Sequence, residues 1–251
     1  MQGTEVTPFL SGSSLVFERT EKFFDNVQCD FLDTFFTDYN KKVESNHKEV
    51  ITISRYQVDK IYPLFNLDTH YTYPDNSGKV TNIPWYEDRH DITEVVFDTL
   101  VEPVSTAFWF FDMLNLNNII ELENLDTSMS DNMTLMFYNC KSLKSDVIGT
   151  LDFNTSNVTS MAGMFNSCYN LTSLNLDSFD TQNVHDMSAM FAYCSNLKSL
   201  SMKFAKTDSL DKDYGTQDMF VGCSKLSGIE TNNKDIADAY VEAEREHRLS
   251  F

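Results

Sequence analysis

One phrase is written four times in the C-terminal half of this chain, and it limits the available folds more than any other feature. Met-Phe-x-x-Cys-x-x-Leu occupies residues 136–143, 164–171, 190–197 and 219–226. Its cysteines, Cys140, Cys168, Cys194 and Cys223, stand 28, 26 and 29 residues apart, a spacing typical of stacked supersecondary units. A unit this short buries its apolar face only against its neighbours. The spacing therefore predicts a solenoid, which offers partners a surface rather than an enclosed pocket.

A second frame, Phe-(Asn/Asp)-Thr-x-Asn-Val-x-x-Met, fills the gaps from Phe153 to Met161 and from Phe179 to Met187. The first unit keeps Leu125-Asp126-Thr127 and Met133 but lacks the Asn-Val pair, and the fourth carries extra residues across 207–216. Outer units are expected to be atypical because they must also seal the stack. Leu171-x-x-Leu174-x-Leu176 and Leu197-x-x-Leu200-x-Met202 alternate at their ends, so each predicts a short strand of a parallel sheet. Met161, Met164, Phe165 and their equivalents fill the expected core. The outward strand positions Thr172, Ser173, Asn175, Lys198, Ser199 and Ser201 are the candidate partner-binding residues. The Asp/Asn-Thr pairs suit turns, and stacked asparagines are expected to satisfy buried backbone at a corner. One cysteine per unit predicts a column of small buried thiols. Equivalent atoms about 5 Å apart also permit a disulfide on distance alone, whereas the C-x-x-C spacing of a zinc site is missing.

The first 113 residues read as an N-terminal cap region. Residues 1–14 are small and polar, suited to a loose leader. Phe23, Phe24, Val27, Phe31, Phe35 and Tyr39 recur at three and four residues, predicting an amphipathic helix over about 15–41 that packs on the next segment or meets a partner. Strands are expected over about 50–97, in Val50–Ser54, Tyr71–Tyr73 and Ile92–Phe97. The aromatic run Phe108-Trp109-Phe110-Phe111 reads as core. The solenoid then spans 114–230, and Asn232-Asn233 caps a helix within 231–251 that closes the stack. The expected class is α+β.

The net charge of −19 is spread, with 9 basic and 17 acidic residues in 1–100 against 10 and 21 in the rest. No basic cluster offers phosphate neutralisation, so no nucleic-acid partner is expected. No apolar run approaches the roughly 20 residues of a membrane span, so no membrane insertion is expected. The N-terminus lacks a basic segment followed by an apolar one, which leaves a chain made without a leader or one whose leader has been removed. Eight glycines form no phosphate loop, and the five histidines are widely separated. Glu87-Asp88-Arg89-His90-Asp91 is the densest ionisable cluster, open to acid/base or metal chemistry or to the role of a solvated loop. The reading is of no enzyme, no cofactor and no metal.

Met-Phe-x-x-Cys-x-x-Leu together with Phe-Asp-Thr-x-Asn-Val-x-x-Met resembles the BspA-like leucine-rich-repeat proteins. Ile83-Pro84-Trp85-Tyr86, residues 91–98, Trp109-Phe110 and Glu123-Asn124-Leu125-Asp126-Thr127 are similar to the lead-in of that family, and the likeness runs to Gly228. The resemblance implies a surface-associated repeat protein that binds host matrix components, with no catalytic motif to carry over. The expected function is non-enzymatic recognition of a protein or glycan at a cell surface, or after secretion, through the repeat face. The alternative is an intracellular, cytoplasmic acidic module that binds a protein partner. Oligomeric state is left open.

Overall fold

The computed structural model describes residues 6–19, 51–53, 56–58, 60–61, 83–148 and 151–249. It is a mixed α+β structure with small parallel sheets and a C-terminal helix. The first sheet has the order β5-β1-β2-β6-β7, formed by Val6–Ser11 (β1), Ser14–Arg19 (β2), Lys60–Ile61 (β5), Glu94–Phe97 (β6) and Asn118–Ile120 (β7). Ile51–Ile53 (β3) and Tyr56–Val58 (β4) form a separate antiparallel pair. The third sheet, order β10-β9-β8, is built from Ser173–Asn175 (β8), Ser199–Ser201 (β9) and Ile229–Glu230 (β10). Between β7 and β8 in sequence lies one helical turn, Ser145–Ile148 (α1), and the chain ends in Lys234–Leu249 (α2).

The start of the chain departs from expectation. Residues 6–11, placed in a loose leader, are strand β1, and residues 15–19, placed at the start of a helix, lie in β2. Gly12, at φ +59°, turns the chain between them, and β2 pairs with β1 on one side and with β6 on the other. Leu15, Val16 and Phe17 are all fully buried, so the segment gains more from a doubly paired strand than from a one-sided helix. The rest of the expected helix, Tyr71–Tyr73 and Cys29 lie outside the described residues.

Backbone pairing in the repeated region follows one rule. The amides of Met133, Leu135, Phe137 and Asn139 donate to the carbonyls of Ser160, Ala162, Met164 and Asn166 in the next unit. The intervening amides of Met136, Tyr138 and Cys140 donate three residues back within their own turn. Alternation of this kind needs left-handed residues at fixed points. Phe108, Leu135, Gly163, Ala189 and Asp218 have φ of 64°, 55°, 59°, 52° and 55°, and Asp112, Asn139, Ser167, Tyr193 and Gly222 have 61°, 59°, 62°, 59° and 74°. Each non-glycine among them stores of order 1 kcal/mol or more of strain, which the inter-unit hydrogen bonds offset.

The core is a set of columns. Phe137, Phe165, Phe191 and Phe220 stack at centroid separations of 5.6, 5.9 and 5.7 Å, with planes within 8° of parallel. The thiols of Cys140, Cys168, Cys194 and Cys223 donate to the carbonyls of Phe110, Phe137, Phe165 and Phe191 at 3.0–3.1 Å. All four are free, and burial pushes each pKa up, to about 12 at Cys223, so the thiols remain protonated donors. Of the two roles open to the cysteines, these four take the thiol column. Thr127, Thr155 and Thr181 form a third column, each buried hydroxyl donating to the carbonyl of Asn154, Asp180 or Lys206 in the next unit. Asn157 and Asn183 bridge to Ser128 and Ser156 from the exposed side. The buried corner expected of asparagine is thus served by threonine, whose shorter side chain fits beneath the turn.

The columns do not begin at residue 114. Phe110 packs on Phe137 at 5.1 Å, and Thr106, Phe108, Phe110 and Asp112 donate to Asn132, Thr134, Met136 and Tyr138 by the same rule. Trp109-Phe110-x-x-Met113-x-x-Leu116 is therefore in phase with the repeated phrase, with Trp in place of Met and Met in place of Cys. Behind it, Phe17 stacks on Phe97 at 5.0 Å and on Trp109 at 5.6 Å, while the Trp85 indole donates to the Trp109 carbonyl. At the other end, Asn233 caps α2 through Oδ1, which accepts from the amides of Asp235 and Ile236. Ile236 is buried, and Tyr240 meets Phe220 edge to face at 6.0 Å.

Candidate binding face

Strands β8, β9 and β10 arise where a Leu-x-x-Leu-x-(Leu/Met) stretch puts alternate side chains inward. Leu174 pairs in register with Leu200, and Leu200 with Ile229. Leu174 and Leu200 point into the core, so their neighbours Ser173, Asn175, Ser199 and Ser201 line the outer face. A depression of about 610 Å³ lies over that face. Five of the six residues expected to contact a partner line it: Ser173, Asn175, Lys198, Ser199 and Ser201. Thr172 sits beyond its edge, where its amide and that of Ser173 donate to the Ser145 hydroxyl at 2.8 and 2.9 Å. The start of α1 thus occupies the place of a neighbouring strand and ends the sheet.

Sequence reasoning missed Lys203 and Glu230, which line the far end of the depression, and Asp177, which meets the lining residues Ser201 and Lys203. Asp177 Oδ1 accepts from the Ser201 hydroxyl at 2.7 Å and from the Lys203 amide at 2.8 Å. Lys203 Nζ reaches Glu230 at 2.7 Å and Asp177 Oδ2 at 3.8 Å. The Lys203 amide, more than any other contact, holds the Asp177 carboxyl below its ordinary pKa, and the Glu230 carboxylate raises that of Lys203. A signal was available, since Asp177 and Lys203 occupy the same phase of successive units, just beyond β8 and β9, where opposite charges can pair across units. Lys198 has no ion pair among the described residues. The lining contains no His, Cys or aromatic residue; its chemistry is that of hydroxyl, amide, ammonium and carboxylate groups.

The ionisable cluster before β6 serves elsewhere. Arg89 and His90 both meet Asp112 Oδ2, at 3.1 and 2.9 Å, and Asn139 donates to Oδ1 at 2.6 Å. Burial alone would raise the Asp112 pKa, but hydrogen bonds from His90, Asn139 and Arg89 outweigh it and the pKa is lowered. This network ties the lead-in loop to two successive units. Among the described residues no group of three or more His, Cys, Asp or Glu is placed to hold a metal ion, and no helix is long and apolar enough to cross a membrane.

A family model described as Mycoplasma protein of unknown function, DUF285, matches residues 104–233. The matched span begins before Phe110, at the point where the stacked columns begin, and ends at the Asn233 cap. No curated protein and no solved structure matches the chain.

Proposed function

We propose, from the premise that the chain belongs to the family described as Mycoplasma protein of unknown function, DUF285, that it is a non-enzymatic recognition protein. It is built as a short solenoid of the BspA-like leucine-rich-repeat kind, displayed at a cell surface or secreted. The β8–β10 face is its contact surface for a protein or glycan. The observation that carries this reading is the depression over β8–β10, whose strand backbones pair with one another and leave a hydrogen-bonding surface of small side chains. Hydroxyls and amides at Ser173, Asn175, Ser199 and Ser201, with Lys198 and Lys203 at opposite ends of β9, suit a polar ligand laid flat on the sheet. The Ser201 hydroxyl meets the Asp177 carboxylate, but that carboxyl is held below its ordinary pKa and so makes a weak base, which favours binding over turnover. Small polar contacts without an aromatic anchor give modest affinity to one face, so function through many copies follows.

Two measurements test the reading. Protease shaving of intact producing cells removes a displayed protein, whereas recovery only after lysis favours the cytoplasmic acidic module. Binding to an array of matrix proteins and glycans is then compared between the native chain and Ser199→Tyr. Loss of the bound signal at unchanged folding supports the face, and unchanged binding refutes it. Binding that fades steeply with salt points instead to charge pairing by the acidic surface.

A further inference from the structure

A second surface follows the turn that closes each repeated phrase. Two residues stand between Cys and Leu and one follows Leu, and all three lie outside the core columns. Across the four phrases these positions hold Lys141, Lys144, Lys198 and Lys225 and not one Asp or Glu. The chain as a whole carries 38 acidic residues against 19 basic ones, so this row inverts the charge around it. Distant in sequence, the lysines are gathered by the stacking of units about 5 Å apart. Lys141 Nζ lies 5.6 Å from the centre of the Tyr169 ring. The Asn196 amide donates to the Tyr169 carbonyl at 2.6 Å, and Lys225 Nζ donates to Asn196 Oδ1 at 2.7 Å. Beside that line, the Lys198 amide donates to the Thr172 carbonyl at 2.9 Å, and the Thr172 amide donates to Ser145, next to Lys144.

These four lysines lack carboxylate partners. All are exposed and form no ion pair among the described residues, whereas Lys203, Lys206 and Lys234 each meet a carboxylate. Of the acids that border the row, Asp146 is exposed on α1 and Glu244 is engaged by the Tyr240 hydroxyl. A row of uncompensated ammonium groups attracts an anion. Between the charges stand Tyr169, 37% exposed, and Asn170, whose exposed amide has no partner among the described residues. A tyrosine ring takes the apolar face of a sugar, and an amide bonds its hydroxyls. Four ammonium groups over about three rungs of the stack, roughly 15 Å, are sparse beside the phosphates of a nucleic acid. The rest of a −19 chain repels such a surplus of charge. A polymer whose acids are separated by uncharged rings matches the row better. We propose that this row binds a linear uronic-acid glycan, with carboxylates at the lysines and one sugar ring against Tyr169. It adjoins the β8–β10 depression at Lys198 and Ser227 and binds whether or not that face does.

The test is an NMR titration of the full chain with hexagalacturonate and with a hyaluronan hexasaccharide, each beside its uncharged methyl ester. The expected result is saturable shifts at Tyr169, Asn170 and Asn196 with at least one of the two acids. Binding is about tenfold weaker for the methyl ester, and about tenfold weaker on going from about 50 to 200 mM salt. Replacing Lys141, Lys144 and Lys225 together by Gln changes only exposed side chains and lowers affinity about tenfold. Tyr169→Ser lowers affinity severalfold and leaves the salt dependence as it was, which separates ring stacking from charge. No shifts with either acid, equal binding of acid and ester, or native affinity in the triple variant would each overturn the proposal. So would tighter binding of hexathymidylate than of either glycan. Ser199→Tyr alters the β8–β10 face and leaves this titration unchanged. Loss of the glycan in S199Y, with the triple variant still binding, moves the ligand to that face and removes it from the row. Charge pairing by the acidic surface takes cations instead, so the sign of the ligand separates the two.

Discussion

The middle of the stack and its two ends are built on different terms. In the middle, Phe165 lies between Phe137 and Phe191, and Cys168 and Cys194 are fully buried under the same bonding rule. Each position there is defined by its copies above and below. At the ends no copy exists, and each end is closed by unique chemistry. Phe17, Trp85 and Trp109 close one, while Ile236 and Tyr240 on α2 close the other, where Cys223 is only partly buried. Periodic sequence therefore specifies an interior cheaply, but termination requires residues that belong to no repeat.

The largest expected break in the middle is Phe165→Ala, which removes both stacking contacts and leaves a cavity. A loss of about 3–5 kcal/mol is expected, read as a fall in urea midpoint. A smaller shift there means that neighbouring units close the gap. Next comes a pair at one phase of the turn. Gly163→Ala puts a Cβ 2.5 Å from Leu135 Cδ2 at φ +59° and costs about 1–3 kcal/mol, while Ala189→Gly relieves the same backbone strain and gains about 0.5–1 kcal/mol. Thermal melts of the two variants must move in opposite directions if the phase, and not the local neighbourhood, sets the conformation. Thr155→Val removes a buried hydroxyl and orphans the Asp180 carbonyl, at a cost of about 1–2 kcal/mol by chemical denaturation.

The smallest effect concerns the N-terminal tie and depends on pH. Asp112 has a folded pKa below its unfolded value, so its contribution is complete above about pH 4 and disappears as pH falls through the lowered folded value. Asp112→Asn is expected to lower stability at pH 7 and to flatten the acid limb of the stability curve. An acid limb as steep as that of the native chain would remove Asp112 from that role.

Much of the repeated region was readable in advance because its side chains repeat with its geometry. The Leu alternation placed β8 and β9, one cysteine per turn placed the thiol column, and Asn233 placed the start of α2. The unit at 109–116 was hidden because Trp109 and Met113 stand where Met and Cys do elsewhere. Phase, rather than residue identity, was the signal for it. Asp177 and Lys203 were hidden likewise, since pairing across units appears only when successive units are aligned. The hairpin of β1 and β2 had no such signal, because its partner β6 lies about 75 residues further along the chain.

The sequence by itself determined the period, the buried columns and the outward row of small polar residues, because each follows from which side chains recur at one phase. Only the tertiary structure decided which units stack at the ends, that α1 interrupts the sheet beside β8, and that Tyr240 of α2 covers Phe220. Those features join residues at unlike phases or from non-repeating segments. Their contact depends on how the ends of the stack exclude water, which no local pattern encodes.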